Sequence, residues 1–155
     1  MSTALIYYHF QDRAGLVSST LEFISTRAEQ YTEVTADPEA DPRVHLEQTL
    51  LAELQDTPVV IENSTAWGEL RASAVFQPEL RDQLRTATDR WTADTSELIR
   101  SAQQHGSIAP EVAADEAAER LTALIEGLSM RWLSGSLDLE QARKYLRGAL
   151  IAELG

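Results

Sequence analysis

The side chains best suited to chemical recognition lie near the start of the sequence, where Tyr7, Tyr8, His9 and Phe10 are followed by Arg13. The tips of Tyr7, Tyr8 and His9 can exchange hydrogen bonds. Arg13 falls in the first turn of the next predicted helix, where the helix dipole disfavours a positive charge, which indicates another purpose for it. Such groups beside an arginine suit contacts with DNA phosphates. The alternative is that the aromatic residues only close a corner between two helices.

Elsewhere the sequence offers no arrangement typical of catalysis or of metal binding. His9, His45 and His105 are far apart, and none has a second ligand at a metal-binding spacing. Cysteine is absent, which excludes a thiolate nucleophile, a disulfide and a cysteine zinc site. Glycine-rich phosphate loops and the G-x-S-x-G nucleophile motif are absent as well. We therefore predict that the protein is not an enzyme and carries neither a metal nor a cofactor.

Length and composition fit one acidic domain. The 155 residues are 43% hydrophobic, and 25 acidic against 13 basic residues give a formal net charge of −12. A chain of this length can bury one core, and its acidity disfavours non-specific binding to nucleic acid or to anionic membranes. Because no apolar run could cross a bilayer and no signal peptide is evident, we expect a cytoplasmic protein. The acidic stretch from Asp37 to Glu62 is interpreted as a solvent-exposed helix surface; the alternative is a cation-binding role, although the spacing matches no calcium-binding loop.

Helical periodicity dominates the sequence, so the predicted fold class is all-α. Four segments repeat apolar residues mainly three or four positions apart, which is typical of one face of an amphipathic helix. Two shorter helices are predicted at 45–54 and 59–75. The fourth set only nearly keeps the pattern, because it ends on a charged residue. The sets are Val17, Leu21, Ile24, Ala28 and Tyr31; Leu80, Leu84, Ala87, Trp91 and Leu98; Ala117, Leu121, Leu124, Leu128 and Trp132; and Leu139, Ala142, Leu146, Ala149 and Glu153.

Local chemistry predicts where these helices begin and end. Proline suits the first helical position, and a preceding aspartate or threonine can cap the helix. Glycine favours the residue just past a helix end. A loop is expected over residues 35–42. The predicted helix starts are Asp41-Pro42, Thr57-Pro58 and Gln77-Pro78, with Asp12 and Asp138 as further caps, and the predicted ends are Gly106 and Gly135.

The first residues resemble the end of the helix-turn-helix of the TetR (tetracycline-repressor) family of bacterial transcription regulators. The matching residues are Ser2, Leu5, Tyr7, Tyr8, His9, Phe10, Arg13 and Leu16. The rest resembles that family's ligand-binding and dimerisation domain, most closely the branch typified by the choline-responsive BetI repressor. The residues that carry this second resemblance are Ala123, Leu124, Ile125, Glu126, Gly127 and Leu128, then Arg131, Trp132, Gly135 and Asp138, leading into Ala142 and Leu146.

The resemblance implies two parts, a remnant of the helix-turn-helix at 1–12 and a TetR-type ligand-binding and dimerisation domain at 13–155. The family's first two helices and the start of its recognition helix would precede Ser2, and this sequence lacks them. We hypothesise that Met1 is not the native start, and we expect the chain as written to bind operator DNA weakly or not at all. With the upstream helices present, two residues would read base edges and four would contact phosphates. These residues are Thr3 and Ala4, then Tyr7, Tyr8, His9 and Arg13.

The resemblance also implies a ligand pocket among the middle helices, and a ligand that shifts the helix carrying residues 16–31. Candidate pocket residues are Asn63, Trp67 and Arg71 on one helix and Trp91 and Thr95 on another. The first three are four positions apart, so one helix face carries an aromatic wall and two polar groups. The alternative is that the tryptophans belong to the core.

The last two helices are the predicted dimer interface, because they carry more apolar surface than one small domain normally hides. Gly127 and Gly148 lie within these helices, which indicates close helix approach. Two helices from each subunit would form a four-helix bundle about a two-fold axis. The alternative is a core within one chain. The candidate interface residues are Leu121, Leu124, Ile125, Leu128, Trp132, Ala142, Tyr145, Leu146, Ala149 and Leu150.

The sequence therefore predicts a TetR-family transcriptional regulator that acts as a ligand-released repressor. Its expected partners are a second copy of the chain, a small-molecule effector and, in a full-length form only, operator DNA. The alternative is a stand-alone helical dimer that binds a ligand or a protein and has no DNA-binding activity. Salt-dependent binding to a DNA duplex, measured after the upstream residues are added, would separate the two.

Overall fold

The computed structural model describes residues 13–33 and 40–155, which form six α-helices and one short 3₁₀ turn without any strand. This confirms the all-α prediction. None of the helices in these two ranges is long and apolar enough to cross a membrane. The helices are α1 (Arg13–Glu33), α2 (Pro42–Ala52), α3 (Pro58–Phe76), α4 (Arg81–His105), α5 (Ala114–Leu133) and α6 (Leu139–Leu154), with the 3₁₀ turn at Pro78–Leu80.

The helix boundaries follow the local chemistry of the sequence. Asp41 caps α2 by accepting a hydrogen bond from the Arg43 amide at 2.8 Å, and Asp138 caps α6 in the same way. Thr57 caps α3, and Pro58 occupies its first position. The Gln77-Pro78 pair is different, because Pro78 begins the 3₁₀ turn and α4 starts only at Arg81. Asp12 and most of the predicted loop over 35–42 lie outside the described residues.

Two separate apolar clusters hold the helices together. The first, which we term the main core, joins α2, α4, α5 and α6, and it includes Leu46, Ile99 and Leu146. The second core is smaller and packs α1 against the end of α3 and the start of α4. Its members are Val17, Leu21, Ala74, Leu80 and Leu84. Helix α1 contributes no residue to the main core.

Part of the predicted dimer interface lies instead in the main core of the single chain. Six of the ten candidates are less than 5% exposed in the single chain, because the apolar stripes of α5 and α6 pack against each other and against α2 and α4. These six cannot supply surface to a partner. The prediction stays for Leu124, Trp132 and Ala149, which are partly exposed, and for Tyr145, which is 49% exposed. The six buried residues are Leu121, Ile125, Leu128, Ala142, Leu146 and Leu150.

Candidate functional site

A cavity of about 650 Å³ lies among helices α1 to α5. A volume of this order suits a small organic molecule. All five residues that the sequence nominated for a pocket line it, and their role in ligand binding stays a prediction. Because α3 presents the same face to the cavity over two turns, the four-residue spacing brings three of them together. The five residues are Asn63, Trp67, Arg71, Trp91 and Thr95.

Two tryptophans from facing helices form the aromatic wall of the cavity. The rings of Trp67 and Trp91 meet edge to face, with their centroids 6.3 Å apart and their planes at 78°. The guanidinium of Arg71 lies 5.2 Å from the centre of the Trp67 ring, within the range of a cation–π contact. Trp91 also packs against the main core, and Trp67 packs against the second core. Each tryptophan therefore contacts an apolar core on one side, as the alternative prediction has it, and lines the cavity on the other.

Glu126 of α5 connects this wall to the neighbouring helices. Its Oε1 accepts hydrogen bonds from Trp67 Nε1 at 2.8 Å and from Arg71 Nη2 at 2.5 Å. The same Arg71 nitrogen donates to the Thr88 hydroxyl at 2.8 Å. One carboxylate thus joins α3 to α5, and Arg71 extends the connection to α4. Sequence reasoning did not nominate Glu126 for the pocket, although a lone carboxylate within an apolar run indicates a buried partner.

A second polar group, which we term the polar cluster, consists of Tyr31, Glu53 and Asn63. The Tyr31 hydroxyl donates to Glu53 Oε2 at 2.8 Å. Asn63 Nδ2 donates to the backbone carbonyl of Ile24 at 3.1 Å and to the Tyr31 oxygen at 3.4 Å. The Oδ1 atom of Asn63 is buried and has no hydrogen-bond partner within the described ranges. The cluster therefore holds α1, α2 and α3 together and leaves one acceptor free.

The protonation state of the polar cluster follows from its burial. Burial raises the pKa of Glu53 to about 7, although the hydrogen bond from Tyr31 opposes the rise. Burial and the neighbouring charge of Glu53 raise the pKa of Tyr31 far above its usual range, so the tyrosine remains a neutral donor. The interpretation of the acidic stretch as exposed surface is therefore wrong for Glu53. Its carboxyl lines the cavity because it follows the last buried turn of α2.

Carboxylates outnumber cationic side chains along the cavity wall. Glu29 is paired with Arg90 at 2.7 Å, and Asp94 is exposed beside them. The hydroxyl of Thr95 donates to the carbonyl of Trp91 in its own helix, so its proton is already engaged. Across the parts of the chain that the structure describes, no group of three histidine or acidic residues could hold a metal ion.

The residues implicated in DNA contacts cannot be placed against this site. Arg13 is the first residue of α1. The other five lie outside the described residues, and their roles stay predictions. They are Thr3, Ala4, Tyr7, Tyr8 and His9.

Comparison with known families gives one match that spans most of the chain. Residues 42–155 match the model of the BetI-type transcriptional repressor C-terminal domain. The regulator BetI of Ectopseudomonas mendocina is 29% identical over 151 residues, covering 93% of this chain and 72% of that protein. BetI of Burkholderia mallei is 27% identical and is matched over 88% of this chain and 66% of its own length.

Solved structures share the same fold. A Rhodococcus sp. protein assigned to the TetR family of transcriptional regulators is 41% identical, with a TM-score of 0.92 over 100% of this chain and 82% of that one. A transcriptional regulator from Saccharomonospora viridis, solved in complex with choline, is 24% identical with a TM-score of 0.75 over 99% of this chain and 81% of its own. At that identity the second likeness concerns the fold alone.

Proposed function

The chain belongs to the TetR family of transcriptional regulators, with a C-terminal domain of the BetI type, and on that premise we propose that it is the effector-binding and dimerising part of a ligand-released repressor. The observation that carries the proposal is the cavity of about 650 Å³ with its aromatic wall and convergent polar groups. Operator binding through Thr3, Ala4, Tyr7, Tyr8, His9 and Arg13, in a form with the upstream helices, and a cytoplasmic location are parts of the same proposal.

The position of α1 supports coupling between the cavity and a DNA-binding region. Ile24, Ala28 and Thr32 of α1 line the cavity, so a bound molecule would touch this helix directly. The same helix begins at Arg13, immediately after the segment that resembles a recognition helix. A ligand that binds better to one position of α1 than to another would shift the helix between the two.

Filling part of the cavity is expected to weaken small-molecule binding. Ala28→Phe places a ring where the α1 wall now carries a methyl group. The neutral probe 1-aminoanthracene becomes more fluorescent in apolar surroundings, and we expect it to bind the wild-type protein saturably. Its affinity for Ala28→Phe should fall at least about tenfold, since the probe and the new ring compete for the same volume.

The matched control is Thr26→Phe, which adds the same ring to an exposed position of the same helix. This variant should bind the probe as the wild type does. Equal binding by Ala28→Phe, or no saturable binding by the wild type, would reject the cavity as the effector site.

The outer face of α5 and α6 is the proposed dimer surface. Tyr145 is 49% and Ile151 65% exposed on α6. A Cβ atom added to Gly127 or to Gly148 would meet nothing within 4 Å in the single chain. Gly127 lines the cavity, which accounts for the space beside it, whereas Gly148 lies outside the cavity lining and is free for the close approach of a partner helix.

A charge on that proposed surface is expected to give monomers. Gly148→Glu adds a side chain into open space within one chain, but in a two-fold dimer it would bring two like charges together in a desolvated contact. Light scattering coupled to size-exclusion chromatography at micromolar concentration should report a dimer for the wild type and a monomer for the variant. Ala93→Glu, at an exposed position of α4, should leave the dimer intact. An unchanged dimer in Gly148→Glu would argue for a different interface.

A further inference from the structure

The polar cluster contains an acceptor whose orientation is fixed by its surroundings. Asn63 is 4% exposed, and its Nδ2 donates to the Ile24 carbonyl, which can only accept. Turning the amide over would set two oxygens against each other, so Oδ1 has to remain on the other side. There it has no partner within the described part of the chain. A buried acceptor in that state favours a ligand that brings a donor.

Glu53 adds a charge that the surrounding side chains leave uncompensated. The other two buried or paired carboxylates of the wall, Glu126 and Glu29, each contact an arginine. Glu53 instead receives a hydrogen bond from the neutral Tyr31 and forms no ion pair among the described residues, since the nearby Arg143 donates to the backbone carbonyls of Leu51 and Leu54. An ionised carboxylate in such surroundings gains from a cationic partner.

Both residues line the cavity. Glu53 and Asn63 contact the same Tyr31 oxygen, one as acceptor and the other as donor. Resting on the function proposed above, we infer that the cavity selects effectors with a protonated primary or secondary amine, whose N–H groups bind the Glu53 carboxylate and, once a small shift of the side chain uncovers it, Asn63 Oδ1. The apolar part of such an effector would lie against Trp67 and Trp91.

The chemistry distinguishes this class from two related ones. A quaternary ammonium has the charge but no N–H group, so it would leave Asn63 Oδ1 unpaired. An alcohol has a donor but no charge for Glu53. An ammonium group with at least two hydrogens supplies both the charge and the donors, and its hydrogen bonds to the carboxylate are of the strong, charge-assisted kind.

Three probes of one shape test the inference by isothermal titration calorimetry at pH 8. They are 2-phenylethylamine, its N,N,N-trimethyl derivative and 2-phenylethanol. We expect the wild-type protein to bind the amine at least about tenfold more tightly than either of the other two. Glu53→Gln, which keeps the shape and the contact with Tyr31, should reduce that preference to about threefold or less. Asn63→Leu should do the same.

The control variant is Glu62→Gln, which removes a carboxylate from the exposed side of α3, where Glu62 pairs with Arg27. It should keep the full preference for the amine. Binding of 1-aminoanthracene reports whether each variant retains an intact cavity, and if Asn63→Leu loses it, Glu53→Gln decides alone.

The outcomes separate this inference from the function on which it rests. If the wild type binds 1-aminoanthracene but binds the trimethyl derivative or the alcohol as tightly as the amine, the amine selectivity is wrong and the effector cavity stands. The same holds if the amine does not bind at millimolar concentration. If 1-aminoanthracene itself does not bind, the proposed function fails first.

Discussion

Leu146→Ala is expected to lower the free energy of unfolding by about 3 kcal/mol, within the range of about 2–5 kcal/mol for leucine truncation in a packed core. Leu146 is completely buried in the main core within a single chain. Shortening its isobutyl side chain to a methyl group takes away apolar burial and leaves a space that the surrounding helices can only partly fill. Urea unfolding, followed by far-UV circular dichroism at several protein concentrations, measures the change.

Concentration distinguishes the core from the dimer surface. A residue inside one chain changes the stability of that chain at every concentration, whereas an interface residue changes how stability depends on concentration. Tyr145→Ala, at the exposed neighbouring position, is the matched variant. It should cost less than about 1 kcal/mol at low concentration, as surface substitutions usually do. A similar loss in both variants would mean that Leu146 does not lie in the core of one chain.

Glu53→Gln is expected to make the protein more stable than the wild type at pH 8 and nearly equal to it at pH 4. Burial raises the pKa of Glu53 from 4.5 to about 7 in the folded protein. Because the folded state then holds a proton that the unfolded chain has released, the wild type loses stability as the pH rises from about 4.5 through 7. Glutamine is neutral throughout and still accepts the Tyr31 hydroxyl, so we expect a gain of about 1–3 kcal/mol at pH 8.

Polar and charged groups from several helices surround Glu53 and form the electrostatic environment in which its carboxyl group titrates. Tyr31 from α1 and Asn63 from α3 touch it or its partner, and Arg143 from α6 donates to the Leu51 and Leu54 carbonyls nearby. Across the cavity, α4 contributes Arg90 and Asp94, and α5 contributes Glu126. Chemical unfolding at pH 4, 6 and 8 gives the comparison.

Glu47→Gln, within the helix α2 that precedes Glu53, serves as the control, because Glu47 pairs with Arg43 outside the cavity lining. Because glutamine cannot form that ion pair, this variant should be no more stable than the wild type at pH 8. If Glu53→Gln were no more stable than the wild type at pH 8, the carboxyl would already be ionised at little cost in the folded state.

The helices were predictable from the sequence because each carries its own signals. Apolar spacing identified their faces, and Asp41, Thr57 and Asp138 cap α2, α3 and α6 as expected. The predicted helix start at Gln77-Pro78 was wrong, because a proline at the first position does not distinguish a 3₁₀ turn from an α-helix. Apolar spacing also could not tell the core of one chain from the surface between two. A core within one chain and an interface between two chains both require an apolar helix face such as that of α6. Only the packing of the folded chain assigns Leu146 to the core.

The cavity was only partly predictable. Asn63, Trp67 and Arg71 were found because their spacing is regular within one helix. Glu53 and Glu126 were missed, because their contacts come from residues 22 to 59 positions away in the sequence. No local pattern distinguishes such a carboxylate from one on an exposed helix face. Burial, which depends on the whole fold, makes the difference.

The division of the apolar interior into two cores bears on how a bound molecule could act at a distance. Moving α1 would disturb the second core, the polar cluster and the exposed ion pairs that Arg27 and Arg90 make with Glu62 and Glu29, while the main core stays packed. The free energy that couples two sites in one protein is typically about 1–3 kcal/mol. That is less than the cost of rearranging a large core, but it is comparable with the strength of a few such peripheral contacts. With the interior divided in this way, moving α1 would cost an energy of the size that a small molecule can supply.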